Sequence, residues 1–214
     1  MIRVAPEGKP FIAMAWGLEA VLAGVFVVGL LPWWPAAVWL FVAIWVVAFF
    51  RDPVRTGERG DNLAIAPADG KVVDVREVDE PAFMGARARR ICIFMNVFDC
   101  HVNRHPLGGT VQYRHYNKGK FLNAADEKAS LENEQSSVGV ATPQGRALIR
   151  QIAGLIARRI VTDHAVGTQV QQGERLGIIR FGSRVDLFLP PSAGVTVKVG
   201  DRTRAGVTVV ARWT

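Results

Sequence analysis

A serine, a group of histidines and a few carboxylates and arginines carry most of the chemistry open to this sequence. Gly182-Ser183 lies between a strand-like run before it (Leu176, Ile178, Ile179) and another after it (Val185, Leu187, Leu189). A Gly-Ser pair held in a sheet usually marks only a bulge. A serine hydroxyl is a weak nucleophile and reacts only with a base beside it. Bases are concentrated in Asn96-Val-Phe-Asp-Cys-His-Val-Asn-Arg-His-Pro106, which follows the strand-like Ile91 to Met95 and carries His101 and His105. Polar groups at the end of a buried strand sit where active-site groups often sit, although a polar turn with a structural histidine has the same appearance. His101 and His105 are four apart, but Pro106 and the strand context argue against the helix that would align them on a metal, so no metal is expected. Asp69, in Ala66-Pro-Ala-Asp-Gly-Lys71, reads first as the turn former of an Asp-Gly hairpin. His115 lies near the end of a further strand. Lys118 and Lys120 lie in a loop suited to an anion, and Arg150, Arg158 and Arg159 frame an apolar run where they would suit lipid phosphates. A solvated basic face fits those arginines equally well from charge alone.

The elements that must position these residues fall into two parts. Of the 214 residues, Pro10 to Phe50 contain one charge, Glu19, and five of the six tryptophans. Phe11 to Leu31 is long enough to cross a hydrocarbon core of about 30 Å as a helix. A Pro-Trp-Trp-Pro turn, Pro32 to Pro35, separates it from a shorter run, Ala36 to Phe50. A signal peptide fits poorly, because the second apolar run follows with no clean cleavage site. Arg3 and Lys9 before the pair and Arg51, Arg55 and Arg59 after it place both flanks, and the domain beyond, on the cytoplasmic side of a cell membrane. The expected organisation is a membrane-associated helical hairpin over 1–50, a linker over 51–62 and a cytoplasmic domain over 63–214. The net charge of +7 and pI near 10 favour an anionic partner. Without aromatics interleaved among the basic residues, an anionic membrane surface is preferred to nucleic acid. Cys92 and Cys100 read as buried reduced thiols.

Beyond the linker, short strands alternate with glycine turns, above all in Gly167 to Ile179. Together with the Asp69-Gly70 turn this pattern resembles biotinyl and lipoyl carrier domains and sugar-phosphotransferase domains. The expected fold is α+β and mostly β, a lipoyl/biotinyl-like sandwich of short strands behind the helical hairpin. A carrier function is disfavoured, because Asp69 occupies the tip where a carrier has its modified lysine.

Taken together, Arg51-Asp-Pro, Ala66-Pro-Ala-Asp-Gly-Lys71, Phe98-Asp-Cys-His-Val-Asn-Arg104, Gly119-Lys-Phe-Leu-Asn-Ala124, Arg150 to Arg159 and Phe181-Gly-Ser-Arg-Val-Asp186 resemble the phosphatidylserine decarboxylases, in the short bacterial form of that family. The resemblance covers nearly the whole chain. It implies a zymogen that cleaves itself between Gly182 and Ser183 into a β chain (1–182) and an α chain (183–214). Ser183 would become a covalent pyruvoyl cofactor. It further implies a lyase of phospholipid biosynthesis, converting phosphatidylserine to phosphatidylethanolamine and carbon dioxide through a Schiff base. By that likeness Ser183, His101 and Asp69 are catalytic, with Asp69 orienting the imidazole that takes the serine proton. His105, His115, Lys120, Arg150 and Arg158 are candidates for substrate binding, and a homo-oligomer is left open. Longer members of the family assign the triad role to a histidine three residues beyond the one matching His101. Here that position is Arg104, with His105 one residue further on. A one-residue slip turns a side chain to the other face of a strand, which favours His101. Asp99 is the alternative to Asp69.

Two other readings compete. One is a membrane-tethered lipoyl-like binding module that never cleaves itself. The other is a pyruvoyl enzyme for a soluble amino acid, which would have no need of a bilayer anchor.

Overall fold

The computed structural model describes residues 3–119, 133–154, 159–180 and 183–214. The chain divides into two compact units, Met1–Val54 and Arg55–Thr214.

In the first unit two helices, α1 (Lys9–Val27) and α2 (Trp34–Phe49), form the hairpin anticipated from composition. Each follows a proline-containing first turn, where the missing N–H costs nothing. The indole of Trp39 donates to the carbonyl of Ala15 at 2.8 Å, and Phe11 stacks on Phe50 with centroids 5.4 Å apart. A bridge pairs Val4 with Arg51, and the amide of Ala5 donates to the carbonyl of Phe50 at 2.8 Å. Both ends of the hairpin are therefore tied together. Met14, Val21, Val27, Trp33, Val38 and Phe41 all point outward and are more than half exposed. Pro6–Val27, with mean hydropathy 1.8, is long and apolar enough to cross a membrane; α2 is shorter.

The second unit is mostly β, as expected. Its main sheet has eight antiparallel strands: β2 (Gly70–Glu80), β3 (Ala86–Met95), β5 (Gly109–Asn117), β6 (Gln135–Thr142), β7 (Gly145–Ala153), β9 (Gln169–Val170), β11 (Ser183–Leu189) and β13 (Arg202–Thr203). Their order is β13-β2-β3-β11-β7-β6-β5-β9. Two three-stranded sheets accompany it. One is β4 (Val102–Arg104), β10 (Arg175–Ile179) and β8 (Ile160–Thr162), in the order β4-β10-β8; the other is β1 (Leu63–Ile65), β14 (Val209–Arg212) and β12 (Gly194–Val195), in the order β1-β14-β12.

Alternation along the long strands decides what is buried where. Ile91, Ile93, Met95, Ile149, Ala153, Val185, Leu187 and Leu189 project from one face of the main sheet into the principal core. The opposite face carries Leu148 and Phe188 in a smaller cluster with Phe83, and beside them a band of charge. There Arg184 pairs with Asp186 through two contacts of 2.8 and 3.0 Å, Arg90 donates to Asp74 at 2.8 Å, and Arg150 donates to Glu80 at 3.0 Å. The basic cluster Arg87–Arg90 lies inside β3.

The Asp69-Gly70 hairpin expected from the sequence does not form. β1 pairs with β14, whereas β2 pairs with β3 and β13, so the two arms belong to different sheets. Between them the amide of Ala66 donates to Thr208 O at 2.7 Å and Pro67 O accepts from the amide of Arg104 at 2.9 Å. Gly70, at φ +155°, is pressed so closely onto the Phe94 carbonyl that a Cβ has no room. This fixes Asp69 as the last residue before the main sheet. The stretch 55–62 is laid along the second unit: Gly60 N–H donates to Gln172 Oε1 at 3.0 Å, and Glu58 accepts from Arg212 at 2.9 and 2.7 Å.

Candidate active site

Ile179 closes β10 and Ser183 opens β11, so Ser183 stands where the chain passes from one sheet to another. It is fully buried, paired to Met95 on one side and Ala153 on the other. Its hydroxyl donates to the thioether of Met95 at 3.4 Å. Gly182, Lys120 and Arg158 lie outside the described residues.

His101 follows β3 by way of a turn built on Asn96. Asp99 Oδ2 accepts from the amide of Asn96 at 2.9 Å, and Asn96 Oδ1 accepts from the amide of Phe98 at 2.8 Å. His101 is fully buried. Its Nδ1 lies 3.0 Å from the carbonyl oxygen of Asp99. A carbonyl can only accept, so Nδ1 carries the proton and Nε2 bears the lone pair, the tautomer a general base requires. His101 O in turn accepts from the amide of Ile179 at 3.4 Å, which places the histidine at the end of β10 from which the chain leads into Ser183.

His105 belongs to the other end of the same strand. Because β4 runs antiparallel to β10, Val102 opposes Ile178 while Arg104 opposes Arg175, and the amide of His105 donates to Glu174 O at 2.8 Å. The offset from His101 is on the order of 13 Å of strand. Its imidazole is fully buried, with Nε2 3.1 Å from Nδ1 of His164, and His164 Nε2 lies 3.3 Å from Glu174 Oε1. Burial, and secondarily the neighbouring His164, pushes the His105 pKa down to about 3.

Asp69 turns its oxygens to Arg55 Nη2 at 2.7 Å and to the amide of Ala205 at 2.7 Å. The Asp69–His101 pairing expected from the sequence is not among these contacts; on His101, Nδ1 faces the carbonyl of Asp99. Asp69 and Asp99 both line a polar cleft of about 480 Å³ with Arg202, Thr203, Arg204 and Thr208. Arg202 holds Asp99 at 3.2 Å.

Of the described candidates, His115 and Arg150 lie on the other face of the main sheet from Ser183. His115, Ser137, Arg150, Asp186, Cys92 and Asp74 form one row across the main sheet. Asp186 is three residues from Ser183, so this row projects from the opposite face. Arg150 is engaged there by Glu80 and by the ring of Phe188, 4.9 Å away. His115 is exposed beside Tyr113. Both cysteines are buried thiols outside any disulfide, and burial with the nearby Asp186 carboxylate drives the Cys92 thiol pKa well upward. No group of three metal-binding side chains occurs among the described residues.

Residues 42–211 match the family model described as phosphatidylserine decarboxylase. The chain belongs to the phosphatidylserine decarboxylase family. A relative from Symbiobacterium thermophilum, named phosphatidylserine decarboxylase proenzyme, is 48% identical over 98% of this chain and 95% of its own length. Proteins of the same name from Magnetococcus marinus and Geobacter sulfurreducens are 45% and 43% identical, covering 98% and 97% of this chain and 94% and 95% of theirs.

Two buried amides next to the site went unnoticed in the sequence. Asn103 and Gln151 are both fully buried, and Gln151 Nε2 donates to Asn103 Oδ1 at 2.8 Å. The one available signal was Gln151 itself, an uncharged polar residue interrupting an otherwise core-facing set between Ile149 and Ala153.

Proposed function

We propose that this chain is a self-processing, pyruvoyl-dependent decarboxylase of phosphatidylserine, with Gly182-Ser183 as its scissile bond. What carries the proposal is Ser183, fully buried at the opening of β11 and following a strand whose end is hydrogen-bonded to the backbone of His101, in a chain of this family. In this reading His101, with its proton on Nδ1, takes the Ser183 hydroxyl proton on Nε2. Ser183 Oγ attacks the carbonyl carbon of Gly182; the C–N bond breaks and an ester forms, with a free amine on Ser183. Removal of the Cα proton of Ser183 then expels the Gly182 carboxylate, which retains Oγ. Water replaces the nitrogen, ammonia leaves, and a ketone is left at position 183. That group supplies the electron sink for loss of carbon dioxide from an amino-acid head group. Asp69, bonded to Arg55 and to the amide of Ala205, acts in this reading by holding the floor of the cleft beside Asp99.

The apolar hairpin suits a substrate that never leaves the bilayer, and its basic flanks favour the cytoplasmic side. Denaturing electrophoresis with intact mass of the small fragment tests the reading. Wild-type protein should give two chains, 1–182 and 183–214, the smaller beginning with a ketone, while Ser183→Ala should stay a single chain inert towards phosphatidylserine. A folded wild-type chain that stays whole overturns it.

A further inference from the structure

Beneath Ser183 a line of polar side chains crosses the core. Gln151 projects from β7 into the principal core alongside Ile149 and Ala153, and meets Asn103 from β4 in the neighbouring sheet. Burying two amides among apolar side chains is costly unless their hydrogen bonds are made. Here they are made in a definite order. Thr162 Oγ1 donates to Gln151 Oε1 at 3.0 Å, so the Thr162 oxygen accepts from Ser136, 2.8 Å away. Gln151 Nε2 then donates to Asn103 Oδ1. This fixes the sense of the Asn103 amide and turns its Nδ2 to the sulfur of Met95 at 3.6 Å, the same sulfur that receives the Ser183 hydroxyl at 3.4 Å.

Every donor in the line points towards Ser183, and the last one ends on a thioether, a weak acceptor. A fully buried N–H whose sense is locked from behind, and which among the described residues faces a flexible sulfur, is matched to a stronger acceptor than the one it has. Resting on the self-cleavage reading above, we propose that Asn103 Nδ2 is the hydrogen-bond donor to the leaving oxygen in maturation. Gln151, Thr162 and Ser136 are its positioning residues. When the ester eliminates, a base takes the Cα proton and the Cβ–Oγ bond breaks. The electron pair stays on Oγ, which becomes an oxygen of the Gly182 carboxylate. Charge therefore develops on the atom that now shares the Met95 sulfur with Asn103. Met95, unbranched and mobile, can yield that position. Donors preorganised where charge appears are worth roughly 10²–10³ in rate.

The test follows maturation of the full chain. Asn103→Leu, close in volume and lacking the N–H, should slow the appearance of the 183–214 fragment by roughly 10²-fold. It should also accumulate the ester, seen as whole chain that hydroxylamine splits into a small fragment beginning with serine instead of a ketone. Thr162→Val, which releases Gln151 and lets both amides turn, should show the same ester to a lesser extent. Ester accumulation is the decisive readout, since a purely structural defect slows maturation without trapping that species. Maturation of Asn103→Leu at the wild-type rate overturns the proposal, as does slow maturation with no hydroxylamine-sensitive chain. If Asn103→Leu does not fold, Thr162→Val decides by the same criterion. A wild-type chain that never cleaves would instead refute the reading on which the proposal rests.

Discussion

Proton placement and strand position together favour His101 as the histidine that serves Ser183 in the proposed cleavage. His101 has its Nδ1 proton committed to a backbone carbonyl and its main chain bonded to the end of β10 from which the chain runs into Ser183. His105 sits at the far end of β10 in a line with His164 and Glu174. His101→Ala should therefore lose maturation, while His105→Ala should still yield two chains and lose stability instead, by about 1–3 kcal/mol as for other buried truncations. Two chains from His101→Ala, or one from His105→Ala, would reverse the assignment. His105 also sets a pH limit. Its folded pKa, near 3, is below its usual value of 6.5, so between those values the unfolded chain binds a proton that the folded chain does not. Stability then falls as pH drops below about 6.5, by at most about 1.4 kcal/mol per pH unit. Melting temperatures measured from pH 7 to 4 should decline along this limb, and His105→Leu should flatten it. The two histidines were visible in the sequence; their hydrogen-bond partners were not. A carboxylate such as that of Asp69 can be seen in a sequence, whereas a backbone carbonyl belongs to every residue, and that of Asp99 reaches His101 only through the turn at Asn96.

At the level of elements, strand alternation sets which face of the sheet each basic residue presents. Arg150 and His115 were legible as charge, and the strands carrying them were legible as apolar runs. Which face each presents depends on register across four strands, and local sequence does not carry that register. Arg150 lies opposite Asp186, hence on the face away from Ser183, and it neutralises Glu80, which is only 3% exposed. Glu80 also accepts from the amides of Phe83 and Met84 at 2.8 and 3.0 Å, so the pair holds the turn between β2 and β3. Arg150→Ala should cost about 1–3 kcal/mol, less than a fully buried pair because the guanidinium is partly solvated. KM for phosphatidylserine should stay unchanged. A raised KM with unaltered melting temperature would return Arg150 to the substrate site. The missing Asp69-Gly70 hairpin has a related cause. Asp-Gly marks a turn reliably, but tertiary pairing decides which strands the turn joins, and β14 and β3 outcompete the local partners.

At the scale of the whole molecule, the division into a hairpin and a β domain was legible because it rests on composition, which no register can disguise. Helix α1 with its preceding turn, Pro6–Val27, spans about 33 Å at the usual rise, enough for the hydrocarbon core; α2, at about 24 Å, is short for it and needs a locally thinned bilayer. Because Val4 pairs with Arg51 and Ala5 with Phe50, the entry and exit of the hairpin lie on the same side of it. Arg3, Lys9 and Arg51 then gather at that side, with Trp33 and Trp34 at the opposite tip. Asp69, His101 and Ser183 all belong to Arg55–Thr214, which has its own core. Removing residues 1–54 should therefore leave self-cleavage at its normal rate. It should release the protein from phosphatidylserine vesicles in a flotation assay and depress turnover of lipid in those vesicles. Turnover of a dispersed short-chain phosphatidylserine should survive, because the proposed catalytic residues all lie in Arg55–Thr214. Loss of cleavage in the shortened chain would mean that the hairpin helps to build the site, and unchanged flotation would assign membrane attachment to the β domain itself.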